Sequence, residues 1–214
     1  MMAPRGAFIV FEGLDRSGKT TQVQRLVQRL EADGRAVRLQ KFPDRTTSIG
    51  RMIDSYLQTK SDLDDRAIHL LFSANRWECA NAIERDLAQG VTVIADRYGF
   101  SGIAFSAAKG LPFSFCLQPD TGLPLPDSVI YLTVNPEVAA SRAAYGLERY
   151  ETKDIQTRVR ERFDEVANEV QRRHGNIWHT IDASGSVDDV QEKVWAAVTS
   201  TLNADFPSMG RLWM

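Results

Sequence analysis

Long apolar runs are missing from this 214-residue sequence. A membrane-spanning helix needs roughly 18 or more consecutive apolar residues, and nothing here approaches that length. The opening stretch Met1-Met2-Ala3-Pro4-Arg5-Gly6 also lacks the apolar core of a secretory leader, so a soluble cytoplasmic protein with no membrane partner is expected. Cysteine is scarce. Cys79 and Cys116 stand apart, without CxxC spacing or histidine companions, which argues against a disulfide framework or a zinc site and leaves two reduced thiols in the core or on the surface. Neither charge sign is in excess: 26 Lys and Arg face 28 Asp and Glu, for a net charge of -2. That balance argues against a nucleic-acid partner and means that the arginines need local explanations. Internal repeats, low-complexity tracts and linker-like stretches are absent as well. The chain reads as one domain, 1–214, able to bury roughly 70% of its unfolded surface.

What is present is a series of short apolar runs. Ala7–Phe11, Ala36–Gln40, Val91–Ala95, Ser128–Val134 and Trp178–Ile181 read as strands, with helical periodicity between them. Strands alternating with helical crossovers predict an α/β fold of three layers, a five-stranded parallel sheet flanked by helices, with ligands beyond the strands' carboxyl ends. Helix punctuation agrees. Asp62 or Asp64 can cap a long helix running to about Ala88, Asn135-Pro136 pairs a cap with proline at the first helical position, and Ser186-x-x-Asp189 opens the last helix. Leu111–Pro126, with four prolines, is expected as a surface loop that can hold a short helical turn. Residues 203–214 are expected as a loosely packed tail, although Leu212 and Trp213 have the apolarity to dock.

The first strand runs into Gly13-Leu14-Asp15-Arg16-Ser17-Gly18-Lys19-Thr20, a complete phosphate loop of the Walker A type, followed by Thr21 and by Val23, Leu26, Val27 and Leu30 at helical spacing. Strand, glycine loop and helix in that order define the P-loop NTPase fold. Glycines let backbone N–H groups close around phosphate oxygens, and the helix N-terminus adds partial positive charge. Lys19 would reach the terminal phosphates of a nucleoside triphosphate, with the Thr20 hydroxyl placed for Mg²⁺. Asp96 ends the third strand, where an acid can hold Mg²⁺ directly or through water.

Phosphoryl transfer needs positioning and charge neutralisation, and a phosphate acceptor adds repulsion between two anions worth several kcal/mol in a partly dry cleft. Arginines are therefore informative. Arg16 in the loop, Arg45 and Arg97 after strands, and Arg142 with Arg149 around Gly146 all fall where a cleft is expected. Phe72 and Arg76, at i and i+4, share one helix face and suit a planar heterocycle, although periodicity alone makes Phe72 a core residue.

Four segments extend the pattern: Phe42-Pro43-Asp44-Arg45, Leu71-Phe72-Ser73-Ala74-Asn75-Arg76-Trp77-Glu78, Asp96-Arg97-Tyr98-Gly99-Phe100-Ser101-Gly102 with Ala104-Phe105, and Glu148-Arg149-Tyr150-Glu151. In this order, and over most of the chain, they resemble the thymidylate kinase family. The resemblance implies transfer of the ATP γ-phosphoryl group to dTMP with Mg²⁺, in a homodimer. By position, Asp15 would contact the acceptor's 3′-hydroxyl, and Arg45 and Arg97 would bind its phosphate. Phe72 would stack on thymine and Arg76 would donate to a base oxygen. Phe42, Ser101, Gly102, Phe105, Tyr150 and Gln156 would line the pocket, and Tyr98 would sit near the sugar C2′. Arg142 would lie beside adenine, with Ala183 and Ser184 closing that side. A mobile lid would span about 142–156 and include Arg149 and Glu151. Arg16 would act with Asp15, Lys19 and Arg97 in catalysis. Asp44 and Gly99 depart mildly from the family pattern, and Gly99 would loosen the backbone near the sugar.

Two rival readings remain at this level. A GTPase-like switch finds fragments in Asp96-x-x-Gly99 and Thr59-Lys60-x-Asp62, but in the wrong order. A kinase of another nucleoside monophosphate, such as UMP or CMP, or of a deoxynucleoside fits the loop; a nucleoside acceptor would need Glu12 or Asp15 as general base and would leave Arg45 without purpose.

Overall fold

The computed structural model describes residues 5–135, 138–139, 149–150, 152–206 and 208–214. Its strands are β1 (Phe8–Gly13), β2 (Val37–Lys41), β3 (Thr92–Asp96), β4 (Ser128–Thr133) and β5 (Trp178–Asp182). They pair in parallel in the order β2-β3-β1-β4-β5. The apolar runs located each strand to within about two residues, the usual margin of boundary assignment. The described helices are α1 (Lys19–Ala32), α2 (Ser48–Leu57), α3 (Asp65–Ala88), α4 (Gly99–Ala108), α5 (Phe113–Leu117), α6 (Lys153–His174) and α7 (Val187–Leu202).

β1 lies at the centre and is buried throughout, so its alternate side chains serve opposite layers. Phe8 and Val10 pack with Ile83 and Leu87 of α3, Ile103 of α4 and Phe163 of α6. Ile9 and Phe11 pack on the other face with Leu26 and Leu30 of α1 and Val194 of α7. The crossover from β1 passes over β3 to reach β2, and that from β3 passes over β1 to reach β4. The carboxyl ends of β1 and β3 therefore open onto a crevice, where the Phe11–Asp96 register sets the phosphate loop beside Arg97.

Helix α3 starts at Asp64, not Asp62: the Asp64 carboxylate accepts from Arg66 N at 2.8 Å. Ser186 caps α7 by accepting from Asp189 N at 3.1 Å. Pro136 lies outside the described residues. The stretch Leu111–Pro126 holds the helical turn allowed for it, with α5 running into a 3-10 turn at Gln118–Asp120. In the tail, the docking that Leu212 and Trp213 had the apolarity for takes place, so 208–214 is not loosely packed. Leu212 and Trp213 are buried, Trp213 stands edge-on to Phe100 at 5.8 Å, and Arg211 pairs antiparallel with Pro124. Two large apolar side chains and a backbone bridge turn 208–214 into a docked strap.

Candidate active site

The phosphate loop leaves β1 at Gly13, whose φ is 153°. A Cβ there would stand 2.7 Å from Leu132 O and 2.8 Å from Ser17 Oγ, so the exit requires glycine. Arg16 and Gly18 both take left-handed conformations, at φ 65° and 84°. For arginine that is a strained choice, kept where the surroundings over-determine it. The turn delivers the chain to the first residue of α1, Lys19, with Thr20 and Thr21 exposed behind it. Leu14 and Ser17 are buried beneath.

Lys19 Nζ stands 3.1 Å from Asp96 Oδ1 at the end of β3. Among the described residues no donor is aligned on that oxygen for a hydrogen bond. Burial, then the Arg97 charge, pulls the Lys19 ammonium below its ordinary pKa, with Asp96 opposing. A buried cation thus faces a carboxylate oxygen that keeps capacity to accept. On the far side, Gln22 of α1 donates to Val187 O at 2.9 Å, which sets Ala183 and Ser184, beyond β5, near the loop helix. Ala183 is buried and Ser184 Oγ accepts from Asn135 N at 3.2 Å. Arg142 and Glu151 lie outside the described residues.

Beside the loop is a cavity assembled from distant segments. Asp15 comes from the loop, Phe42 and Arg45 follow β2, Phe72 and Arg76 project from α3, Arg97 and Tyr98 follow β3, and Ser101, Gly102 and Phe105 come from α4, with Tyr150 completing the wall. Phe72 does both things expected of it: it lines this space and, partly buried, packs against the cluster of Ile53, Leu57 and Ile68. Pro43, which stood in a quoted motif without a role of its own, also lines it, as do Leu57 and Ser106, which carried no signal in the sequence. Gln156 stands behind the wall: its amide donates to Asp15 Oδ2 at 2.7 Å and to Tyr150 O at 3.0 Å.

The charged side chains come with partners. Arg97, itself at φ 68°, meets Asp15 Oδ1 at 2.6 Å and donates to Gly13 O at 3.0 Å. Arg45 meets Asp54 Oδ1 of α2 at 2.6 Å. The loop carrying Arg45 is shaped by Asp44, whose carboxylate accepts from Thr46 N and Oγ1; these bonds hold its pKa below the usual carboxylate range. Arg149 belongs to the segment expected as a lid. It donates to Tyr56 O at 3.0 Å and Ser61 O at 2.9 Å, meets Asp62 at 3.0 Å and lies over the Tyr56 ring, so these acceptors hold it at the α2–α3 corner and it is not part of the cavity wall.

Two buried acids that the motifs did not single out as supports hold this wall in place. Glu12 of β1 accepts from Tyr98 N at 3.0 Å, from Ser101 N at 2.9 Å and from the Ser101 hydroxyl. It thereby braces the turn into α4 and its partial positive end. Burial raises its pKa, opposed by the Ser101 bonds and the Arg97 charge. Its three donors make it a strut, not the free base that a nucleoside acceptor would require. Asp120 is the second, paired with Arg76. Gly99 stands against this acid: a Cβ would lie 2.8 Å from Asp120 Oδ2. Its φ is not positive, so what glycine supplies here is room for Asp120 and not a left-handed turn.

Comparison with known proteins bears on this geometry. The sequence profile described as thymidylate kinase matches residues 11–194. The thymidylate kinase of Schizosaccharomyces pombe is 53% identical over 89% of this chain and 90% of its own length. That of Danio rerio is 46% identical over 100% of both chains. Among solved structures, thymidylate kinase from Candida albicans superposes with a TM-score of 0.90 at 35% identity, covering 98% of this chain and 99% of its own. With a phosphate loop, an arginine-lined cavity beside it and likeness of this extent in both sequence and fold, the chain belongs to the thymidylate kinase family.

Proposed function

We propose that the chain transfers the γ-phosphoryl group of ATP to the phosphate of dTMP, giving dTDP and ADP in dTTP biosynthesis. One observation carries this reading: a single cavity adjoining the phosphate loop combines an aromatic wall at Phe72 with guanidiniums at Arg45, Arg76 and Arg97. A planar base suits Phe72 and Arg76, and an anionic acceptor suits Arg45 and Arg97. Arg97 is bonded to Gly13 and Asp15, which ties the acceptor phosphate to the donor loop.

The acceptor oxygen is already anionic near neutral pH, so no protein base is needed. Lys19 and Arg16 offset the charge that develops on the transferring group. Asp15, oriented by Arg97 and Gln156, accepts from the 3′-hydroxyl. Tyr98, its hydroxyl donating to Pro124 O at 3.2 Å and its ring against Phe8 and Phe42, cannot yield, and so disfavours a 2′-hydroxyl. Asp96 Oδ1, without an aligned donor, and the Thr20 hydroxyl are hard oxygen donors of the kind Mg²⁺ takes, directly or through water. Held there, Mg²⁺ would supply charge neutralisation on the phosphates.

The homodimer is part of the same reading. Ile68, Ala80 and Ile83 of α3 are buried within the protomer, whereas Leu70 and Trp77, two turns apart on the same helix, stand exposed and would supply the apolar contact. Sedimentation should give twice the chain mass, and Trp77→Glu should halve it. Two buried free thiols, each pushed to about 11 by burial, suit a reducing compartment, the cytoplasm. No described helix is long and apolar enough to cross a membrane. ADP release measured across dTMP, dUMP, UMP, CMP, AMP and thymidine should peak at dTMP; preference for UMP or thymidine would overturn the assignment.

A further inference from the structure

Arg76 is nearly inaccessible, and a guanidinium in that position is costly unless it is matched. Asp120 matches it completely on one side. Arg76 Nε donates to Oδ1 at 3.1 Å, and Nη2 donates to Oδ1 at 2.9 Å and Oδ2 at 2.8 Å. The Ser73 hydroxyl, one turn earlier on α3, lies 2.7 Å from the same Oδ1. Gly102 stands over the guanidinium itself, where a Cβ would come within 2.9 Å of Nη2, 3.1 Å of Nη1 and 3.2 Å of Cζ. The guanidinium plane is therefore clamped, with Nη1 the terminal nitrogen that Asp120 does not engage.

Asp120 itself does not line the cavity. It sits on the 3-10 turn, which Trp77 Nε1 holds by donating to Pro119 O at 2.8 Å. The strap holds the next residues: Gly122 N donates to Leu212 O at 2.9 Å, Leu212 N to Leu123 O at 2.8 Å, and Leu125 N to Gly210 O at 3.0 Å. Arg211 fastens the strap to α3 through Glu84 at 2.6 Å. Gly99 marks where the chain of support converges, since its Cβ would meet both Asp120 and Leu212 Cδ2.

We propose that Asp120, backed by the strap Gly210–Trp213, is a positioning residue for base selection, holding Arg76 so that it presents donors alone to the edge of the pyrimidine. This rests on the reading that Arg76 faces the base. A guanidinium has no acceptor, so a fixed one favours a carbonyl at the base 4-position and opposes an amino group there. An arginine free to swing would turn away from the amino group and lose that discrimination. The strap thus acquires a role in substrate choice although it touches no substrate.

The test compares kcat/KM for dTMP with that for dCMP. Asp120→Asn should lower the ratio at least tenfold, mainly through KM for dTMP, while kcat at saturation and KM for ATP hold. Because a buried arginine without its counter-charge can prevent folding, Leu212→Ala, remote from the cavity, provides a second reading; it should lower Tm and move the ratio in the same direction. Arg76→Ala separates the two layers of the argument. If it leaves the ratio intact, Arg76 does not face the base and the underlying reading fails. If it abolishes discrimination while folded Asp120→Asn and Leu212→Ala keep the parent ratio, the positioning role is overturned. Should Asp120→Asn not fold, Leu212→Ala alone decides.

Discussion

The donor and acceptor halves of the site are built by opposite strategies. The phosphate loop is contiguous, from Gly13 to Thr20, and works largely through backbone N–H groups aimed by left-handed residues at 16 and 18. Its main ion pair, Lys19 with Asp96, is imperfect, leaving an oxygen without an aligned donor. The acceptor cavity draws on the loop, two strand exits, three helices and Tyr150, and its charges are paired in advance: Arg97 with Asp15, Arg76 with Asp120, Arg45 with Asp54. A loop that must release and rebind a triphosphate each cycle benefits from groups left wanting. A pocket that must tell one base from another benefits from groups that cannot move.

That contrast makes ordered predictions. The largest effect belongs to the donor side: Arg16→Ala should lower kcat about 10³-fold, the scale set by arginines that neutralise a transferring phosphoryl group. KM for dTMP should stay nearly constant in that variant, as steady-state kinetics at saturating ATP will show; an equal loss in dTMP binding would break the division between the halves. Next comes the acceptor wall. Phe72→Ala should raise KM for dTMP about tenfold, in line with stacking worth ~1–3 kcal/mol per base, and leave kcat close to the parent value. A fall in kcat without change in KM would mean that Phe72 serves the chemistry instead. The smallest effect concerns the loop that delivers Arg45. Asp44→Ala removes two turn bonds and should cost about 0.5–1 kcal/mol at pH 7. The Asp44 pKa is depressed in the folded protein, so its contribution is present above the ordinary carboxylate value and fades as pH falls through the folded one. Denaturation of variant and parent should therefore converge in acid; a gap that persists at pH 2 would show that the loop depends on something other than this carboxylate.

Legibility followed the same divide. The strands were found because apolar runs are local, and the phosphate loop because strand, glycines and helix succeed one another within some thirty residues. The cavity residues Phe72, Arg76 and Arg97 were reachable through resemblance, but their supports were not. Glu12 read as one more residue near the loop, yet three donors from Tyr98 and Ser101 converge on it across β1 and β3. Asp120 sat unnoticed in a proline-rich stretch because its partner lies 44 positions earlier in the chain. Arg149 looked like a cleft arginine from its neighbours in sequence, while acceptors at Tyr56, Ser61 and Asp62 turn it elsewhere.

The sequence by itself determined the parallel α/β sheet and the donor loop, since each is encoded by residues that act within one turn, one strand or one loop, while the acceptor followed only from the resemblance of motifs spread along the chain. Tertiary structure alone decided which charges are matched and in which direction they are held. Matching a buried charge requires a partner brought in from another element, and short-range pattern carries no information about which element that will be.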